Sequence, residues 1–292
     1  MKAHERVHTH IRLVYSRSLQ SQNHPTVHPI TMTTAQSATD MPRKSASDEP
    51  ALLRTDGLTR RFGSLVAVDN VNLSIPRGEF HSIIGPNGAG KTTLFNMLAG
   101  TLPESDGRVV FNGDEITGMV DHERVQRGIS RAFQTPQLFM GLSVLENLRL
   151  AVQTKEQTFN PLRKLDSTHE REARDMLERI EFDADPKQLT KNLSHGNKKK
   201  LEIMMALSVD PDLLLLDEPT SGVSAGDSDP LMEFISETST DRTVLLIEHN
   251  VDLVLQYSDR VTVLDRGTVI SQGTPSYISQ DETVQEAYMG SY

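Results

Sequence analysis

Nine consecutive residues, Gly85-Pro86-Asn87-Gly88-Ala89-Gly90-Lys91-Thr92-Thr93, constrain this chain more than any other stretch. They fit G-x-x-x-x-G-K-[ST], the P-loop, and their neighbours fit its setting. Phe80-His81-Ser82-Ile83-Ile84 before them ends in a β-branched apolar pair, as a buried strand does. After them, Lys91 to Ala99 reads as a helix, with Leu94 and Leu98 on one face and Gly100 at the stop. Gly85, Gly88 and Gly90 let the backbone wrap around a phosphate chain with its N–H groups pointing inward. The positive end of the helix faces the same anion. Lys91 then supplies a mobile charge for the outer phosphates, and Thr92 a hydroxyl for Mg²⁺.

Composition narrows the remaining choices. At 292 residues the chain can hold one large domain or two small ones. A formal net charge of -10 argues against a nucleic-acid-binding surface. It fits an ordinary acidic soluble protein, or one from a salty cytoplasm where a carboxylate-rich surface stays hydrated. Cysteine is absent, so disulfides, thiol catalysis and cysteine-ligated metals are excluded. No apolar run approaches the roughly 20 residues needed to span a bilayer, and any membrane association has to go through a partner.

Residues 1–50, rich in His, Ser, Thr and Pro, lack helical or strand periodicity, and a disordered extension is expected. Met32 and Met41 are alternative starts to Met1. From Ala51 the pattern becomes ordered. Arg61-Phe62-Gly63 and Val66 to Ile75 read as strands, and Asn112-Gly113 as a hairpin turn. Residues from about 140 to 208 carry helix-period apolar positions such as Leu145, Leu148, Val152, Met176, Leu177 and Ile180, with a loop around Pro161. Beyond them Leu213–Leu216, Val244–Ile247 and Val261–Leu264 are short apolar strands, with Phe234 and Ile235 in a helix between the first two. That alternation implies a parallel sheet covered on both faces. Tyr277 to Tyr292 reads as one short amphipathic helix.

Leu213-Leu214-Leu215-Leu216 delivers Asp217 and Glu218 at a strand end, where ligand sites of open α/β sheets lie. Asp217 is placed to support Mg²⁺, and Glu218 to take a proton from an attacking water. Leu193-Ser194-His195-Gly196-Asn197 precedes a helix whose Lys198-Lys199-Lys200 puts three cations in its first turn. Such a run is usually a solvated face. Here it opposes the macrodipole at about 0.3–1 kcal/mol each, a cost that a nearby triphosphate would offset.

Together these segments resemble ABC-type ATPase cassettes. Leu193-Ser194-x-Gly196 is similar to their signature and Asp217-Glu218-Pro219 to their Walker B end. By the same resemblance Phe62 stacks on adenine, and Gln134, in Arg131-Ala132-Phe133-Gln134, contacts Mg²⁺ and water and faces the membrane partner. His249 is then the switch histidine at the γ-phosphate. The resemblance implies ATP and Mg²⁺ as ligands, held by Phe62, residues 85–93, Gln134 and Asp217, with Glu218, His249 and Gln134 catalytic. It also implies a head-to-tail dimer in which Ser194 and Gly196 close the facing subunit's site. Asn197 and Ser224 depart from the usual pattern, and Ser224 stands where many cassettes carry an aspartate.

Ser130–Gln134, Leu142–Leu148, Leu201-Glu202-Ile203 and Gln285–Gly290 narrow the resemblance to branched-chain amino acid (Liv-type) importer ATPases, with urea and short-chain amide importers second. A soluble ABC ATPase acting on ribosomes or DNA is the rival of a different class. The expected fold is α/β: a P-loop NTPase core with an antiparallel β subdomain and an inserted helical subdomain. Residues 51–292 form the cassette in this reading. Its implied partners are a second cassette, transmembrane permease subunits and, indirectly, a substrate-binding protein. Its implied location is the cytoplasmic face of the membrane.

Overall fold

The computed structural model describes residues 51–132, 138–154, 167–180 and 182–289. The expected N-terminal extension, the Gln134 segment and the loop around Pro161 lie outside the described residues.

Strand β1 (Ala51–Phe62) folds back antiparallel on β2 (Leu65–Pro76), as period-two alternation predicts, and pairs on its other side with β4 (Asp106–Phe111). A two-residue turn joins β4 to β5 (Asp114–Glu115). Its Asn112 and Gly113 have φ of 50° and 86°, the positive pair a type I′ turn requires.

The second sheet has the order β10-β9-β3-β8-β7-β6. Here β3 is Phe80–Ile84, β6 Ile129–Ala132, β7 Leu213–Asp217, β8 Thr243–Ile247, β9 Arg260–Asp265 and β10 Thr268–Gly273. It runs parallel from β9 to β6, with β10 as an antiparallel edge. Every residue of β3, β7 and β8 is buried. The reason lies in the alternation: Leu213, Leu215, Leu245 and Ile247 join a core with the P-loop helix and the antiparallel sheet. Leu214, Leu216, Val244 and Leu246 join the core built with the helical region on the other face. Each such side chain contributes about 1.5–3 kcal/mol of burial, so the parallel sheet is the fixed frame.

The P-loop helix α1 (Lys91–Leu98) buries Leu94 and Leu98 as its spacing predicts. Its C-terminus is closed by Gly100 at φ 76° and by a side chain the sequence did not announce. Arg124, buried on α2 (Asp121–Gln126), donates to the carbonyls of Met97 (2.6 Å), Leu98 (2.8 Å) and Met119 (3.0 Å). Its remaining nitrogen pairs with buried Glu104 at 2.7 Å.

The helical region comprises α3 (Val144–Gln153), α4 (Ser167–Arg179) and α5 (His195–Leu207), with a 3₁₀ turn, Thr190–Asn192, before α5. Helix α6 (Ala225–Thr238) follows β7, and α7 (Val251–Tyr257) follows β8. The tail differs from the single helix expected. It forms α8 (Pro275–Ile278) and then α9 (Glu282–Met289). The break is held by Asp281, whose carboxylate accepts from Thr283 N–H (2.9 Å) and from Ser271 Oγ (2.5 Å).

Candidate nucleotide site

Backbone conformation comes first. Gly85, Gly88 and Gly90 all have positive φ. A Cβ on Gly85 would lie 2.1 Å from the Leu264 carbonyl, and one on Gly90 would lie 2.4 Å from that of Ala67. Both positions therefore require glycine for conformation and for space. The loop is pinned from behind: Gly267 N–H donates to Ala89 O (2.9 Å), and Asp69 N–H to Gly267 O (2.8 Å). Pro86 is half-buried, Asn87 and Gly88 are exposed, Ala89 is buried, Thr92 is exposed at the head of α1 and Thr93 is half-buried.

Lys91 is buried and curls under the loop, donating to Gly85 O (2.7 Å) and Pro86 O (3.1 Å). Burial holds its pKa below the ordinary lysine value, against the opposing pull of Glu218 and then Asp217. The two acids at the end of β7 thus act on the same ammonium across the sheet.

Those acids diverge. Asp217 is buried, and its Oδ2 accepts from Arg131 Nη2 at 3.0 Å. Burial raises its pKa despite the Arg131 charge. Its Oδ1 is buried and has no hydrogen-bond partner among the described residues. A buried acceptor left unpaired is costly, and this one is the right kind of oxygen for a hard cation or its water shell. The residues present therefore fit Mg²⁺. Among the described residues no group of three His, Asp or Glu side chains could hold a metal alone, so the substrate's phosphates would complete the shell.

Glu218 turns the other way. It has φ 49°, a left-handed conformation rare for a non-glycine residue and common at functional sites. Its N–H donates to Ile247 O (2.9 Å), so the end of β8 holds the strained residue. Its Oε1 meets His249 Nε2 at 2.5 Å. Because β8 lies between β3 and β7, His249 is carried to the seam between Lys91 and the acids.

Two contributors escaped sequence reasoning. Arg131, named only as a neighbour of Gln134, also donates to Asn96 Oδ1 on α1 (2.8 Å), and its guanidinium lies 5.1 Å over Phe95. It ties the P-loop helix to Asp217. Glu248 is buried and accepts from Thr220 N–H (2.9 Å), Thr220 Oγ1 (2.6 Å) and His249 N–H (3.0 Å). It fastens the segment after Glu218 to the segment carrying His249. The one available signal for Glu248 was its place directly after a fully buried strand.

Three more expected residues, Phe62, Ser194 and Gly196, stand on other elements. Phe62 stands at the end of β1, 45% exposed, with the Arg60 guanidinium 4.6 Å over its ring. Ser194 is the N-cap of α5, its Oγ accepting from Asn197 N–H (3.1 Å), and the space beside Gly196 is open. His195 lies beside Gly222, two residues before Ser224, whose hydroxyl donates to Asp227 Oδ2 (2.5 Å). The three lysines do not form a solvated face: Lys199 is buried 3.8 Å from Glu202, and Lys200 lies 5.2 Å over Phe234.

A phosphate loop on β3 with paired acids two strands away is the arrangement of P-loop nucleotide hydrolases. The sequence profile of the ABC transporter family matches residues 68–221. The high-affinity branched-chain amino acid transport ATP-binding protein LivG of Escherichia coli K12 is 38% identical over 82% of this chain and 98% of its own length. The corresponding BraF of Pseudomonas aeruginosa is 36% identical with the same coverage. A solved ABC transporter cassette in its ADP conformation superposes with a TM-score of 0.73 at 33% identity, over 82% of this chain and 99% of that one. The chain belongs to the ABC transporter family, as an ATP-binding, ATP-hydrolysing cassette. No described helix is long and apolar enough to cross a membrane.

Proposed function

We propose that this chain is the Mg²⁺-dependent ATPase of an importer for branched-chain amino acids. One observation carries the substrate class: the similarity to LivG and BraF runs through 98% of each relative rather than through the shared nucleotide motifs alone. In this reading two cassettes enclose ATP head-to-tail at the cytoplasmic face of the membrane. Their closure drives permease subunits fed by a substrate-binding protein.

Residues 85–93 and Lys91 cradle the phosphates, and Phe62 stacks on the adenine. Thr92 and Asp217 hold Mg²⁺, with Gln134 assigned the same task by resemblance. When bound, the cation neutralises charge on the transferring phosphoryl group. Glu218, steadied by His249, accepts the proton of the attacking water. Arg131 favours the charged form of Asp217 against the pull of burial and aims its carboxylate, while Glu248 keeps His249 and the Glu218 loop in register. Ser194 and Gly196 offer the start of α5 to the γ-phosphate of the facing subunit.

The test has two parts. The purified chain should hydrolyse ATP with Mg²⁺ and lose turnover when the metal is chelated; unchanged turnover would remove the metal from the mechanism. Deletion of the gene should abolish uptake of leucine, isoleucine and valine while sparing urea. Loss of urea uptake alone would reassign the importer.

A further inference from the structure

Asn147 has no local reason to be where it is. It lies in the second turn of α3, completely buried, although asparagine is a poor helix former and its amide is expensive to desolvate. The explanation is tertiary. Its Oδ1 accepts from Phe139 N–H at 2.9 Å, and its Nδ2 donates to Phe139 O at 3.2 Å. The amide thus pairs with one residue's N–H and C=O together, as a neighbouring strand would. The same Nδ2 reaches Ser143 O (2.9 Å) and the hydroxyl of Thr190 (2.9 Å), 43 residues away.

The two segments it touches are themselves joined. Thr190 N–H donates to Leu142 O (2.9 Å), and Lys191 N–H to Met140 O (3.2 Å). Val144 N–H donates to Gln188 O (3.1 Å), and Leu145 N–H to Pro186 O (3.0 Å). One end of this ribbon presents Phe139 and Met140 to solvent, 54% and 41% exposed. The same end carries the Thr190–Asn192 turn, from which buried Leu193 leads directly to Ser194.

We propose that Asn147 is a positioning residue for Ser194, fixing it through Thr190 and coupling it to the exposed Phe139–Met140 loop. The proposal rests on the reading of Ser194 as a group for the facing subunit's ATP. Asn147 touches no substrate; it holds the ribbon at the register from which Ser194 is launched. A displacement of Phe139 or Met140 by a partner is then carried to the signature serine without passing through Lys91 or Glu218.

Thr190→Val removes the hydroxyl at nearly constant volume, and Thr190→Ser restores it. Both are assayed in the full chain for steady-state ATP hydrolysis and, separately, for affinity of a fluorescent ATP analogue at protein concentrations too low for dimers. Thr190→Val should lower kcat about fivefold to tenfold, the worth of roughly one buried hydrogen bond, with analogue affinity unchanged and the thermal midpoint lowered by only a few degrees. Thr190→Ser should return to wild-type turnover. Asn147→Asp keeps the acceptor for Phe139 N–H but loses the donors to Phe139 O, Ser143 O and Thr190, so it should lower turnover at least as far as Thr190→Val. Normal turnover in Thr190→Val beside a dead Ser194→Arg would overturn the proposal and leave the Ser194 reading standing. Normal turnover in Ser194→Arg would remove the reading beneath it. Parallel loss of analogue affinity in Thr190→Val would show a general structural role and would also overturn it.

Discussion

The strand-end cluster and the signature region solve the same problem, holding a polar group still, by opposite means. Lys91, Asp217, Glu218 and His249 hang from β3, β7 and β8, whose positions are dictated by apolar burial on both sheet faces. Ser194 hangs from a ribbon of loops, kept in place by hydrogen bonds among Ser143, Glu146, Asn147 and Thr190. Burial is non-directional and hard to perturb locally. Hydrogen bonds are directional and individually modest. The first region is therefore built to stay and the second to shift, as the proposed closure across two subunits requires.

Glu218→Gln probes the rigid region most severely. The amide keeps the size of Glu218 and a hydrogen bond to His249 but cannot accept a proton from water. Turnover should fall by a factor on the order of 10²–10⁴, the worth of a general base. Affinity should persist, since Lys91 and the loop amides are untouched, and an ATP-bound dimer should appear in size-exclusion chromatography. Asp217→Asn should differ by altering the Mg²⁺ requirement as well. Near-normal ATPase in Glu218→Gln would transfer the water-positioning role to His249 or Gln134.

Arg124→Ala tests whether the frame depends on the buried ion pair at the end of α1. It leaves Glu104 buried and uncompensated and frees the carbonyls of Met97 and Leu98. Loss of one partner of such a pair costs about 3–5 kcal/mol, and denaturant melts should show it as a cooperative loss of the whole cassette. Replacing Arg124 and Glu104 together by Met and Leu should cost less. An equal cost for single and double variants would assign the effect to packing.

Ser194→Arg turns to the shifting region. A bulky cation at the N-cap of α5 should leave monomeric ATP binding near wild type while reducing hydrolysis by at least about 10², the scale for losing a preorganised anion donor. Loss of ATP binding itself would mean that Ser194 serves its own chain's site.

The contrast also decides what could be read from the chain. Glycines forced to positive φ, four leucines ahead of an acid pair and a serine at a helix start are local patterns, and each was legible. Arg131 with Asp217 spans 86 residues and Asn147 with Thr190 spans 43, so neither contact leaves a mark in either neighbourhood. Strand β6 was missed because Ile129-Ser130-Arg131-Ala132 has neither an apolar run nor a clean alternation. The tail was read as one helix because its interruption depends on Asp281 reaching Ser271 on β10.

The smallest expected effect belongs to the cap of α3, and it separates the two regions by pH. Glu146 accepts from Ser143 N–H and from Ser143 Oγ, both at 2.7 Å. The backbone bond first, then the hydroxyl, hold its carboxyl below its ordinary value of 4.5. A depressed folded-state pKa stabilises the fold above the unfolded value and loses that contribution as pH falls through the folded one. The cap should thus be intact at neutral pH and weaken progressively below pH 4.5. Glu146→Gln retains an acceptor for Ser143 N–H without the charge. Its thermal midpoint should lie slightly below wild type at neutral pH, and the gap should close in acid. Because the group is exposed, screening keeps the difference small. The loss should register as lower protection of amides 143–147 and 188–191, with those of Leu214–Leu216 unchanged. A gap that stays constant with pH would mean that the cap works through geometry alone, and the ribbon would then be as insensitive to charge as the sheet it flanks.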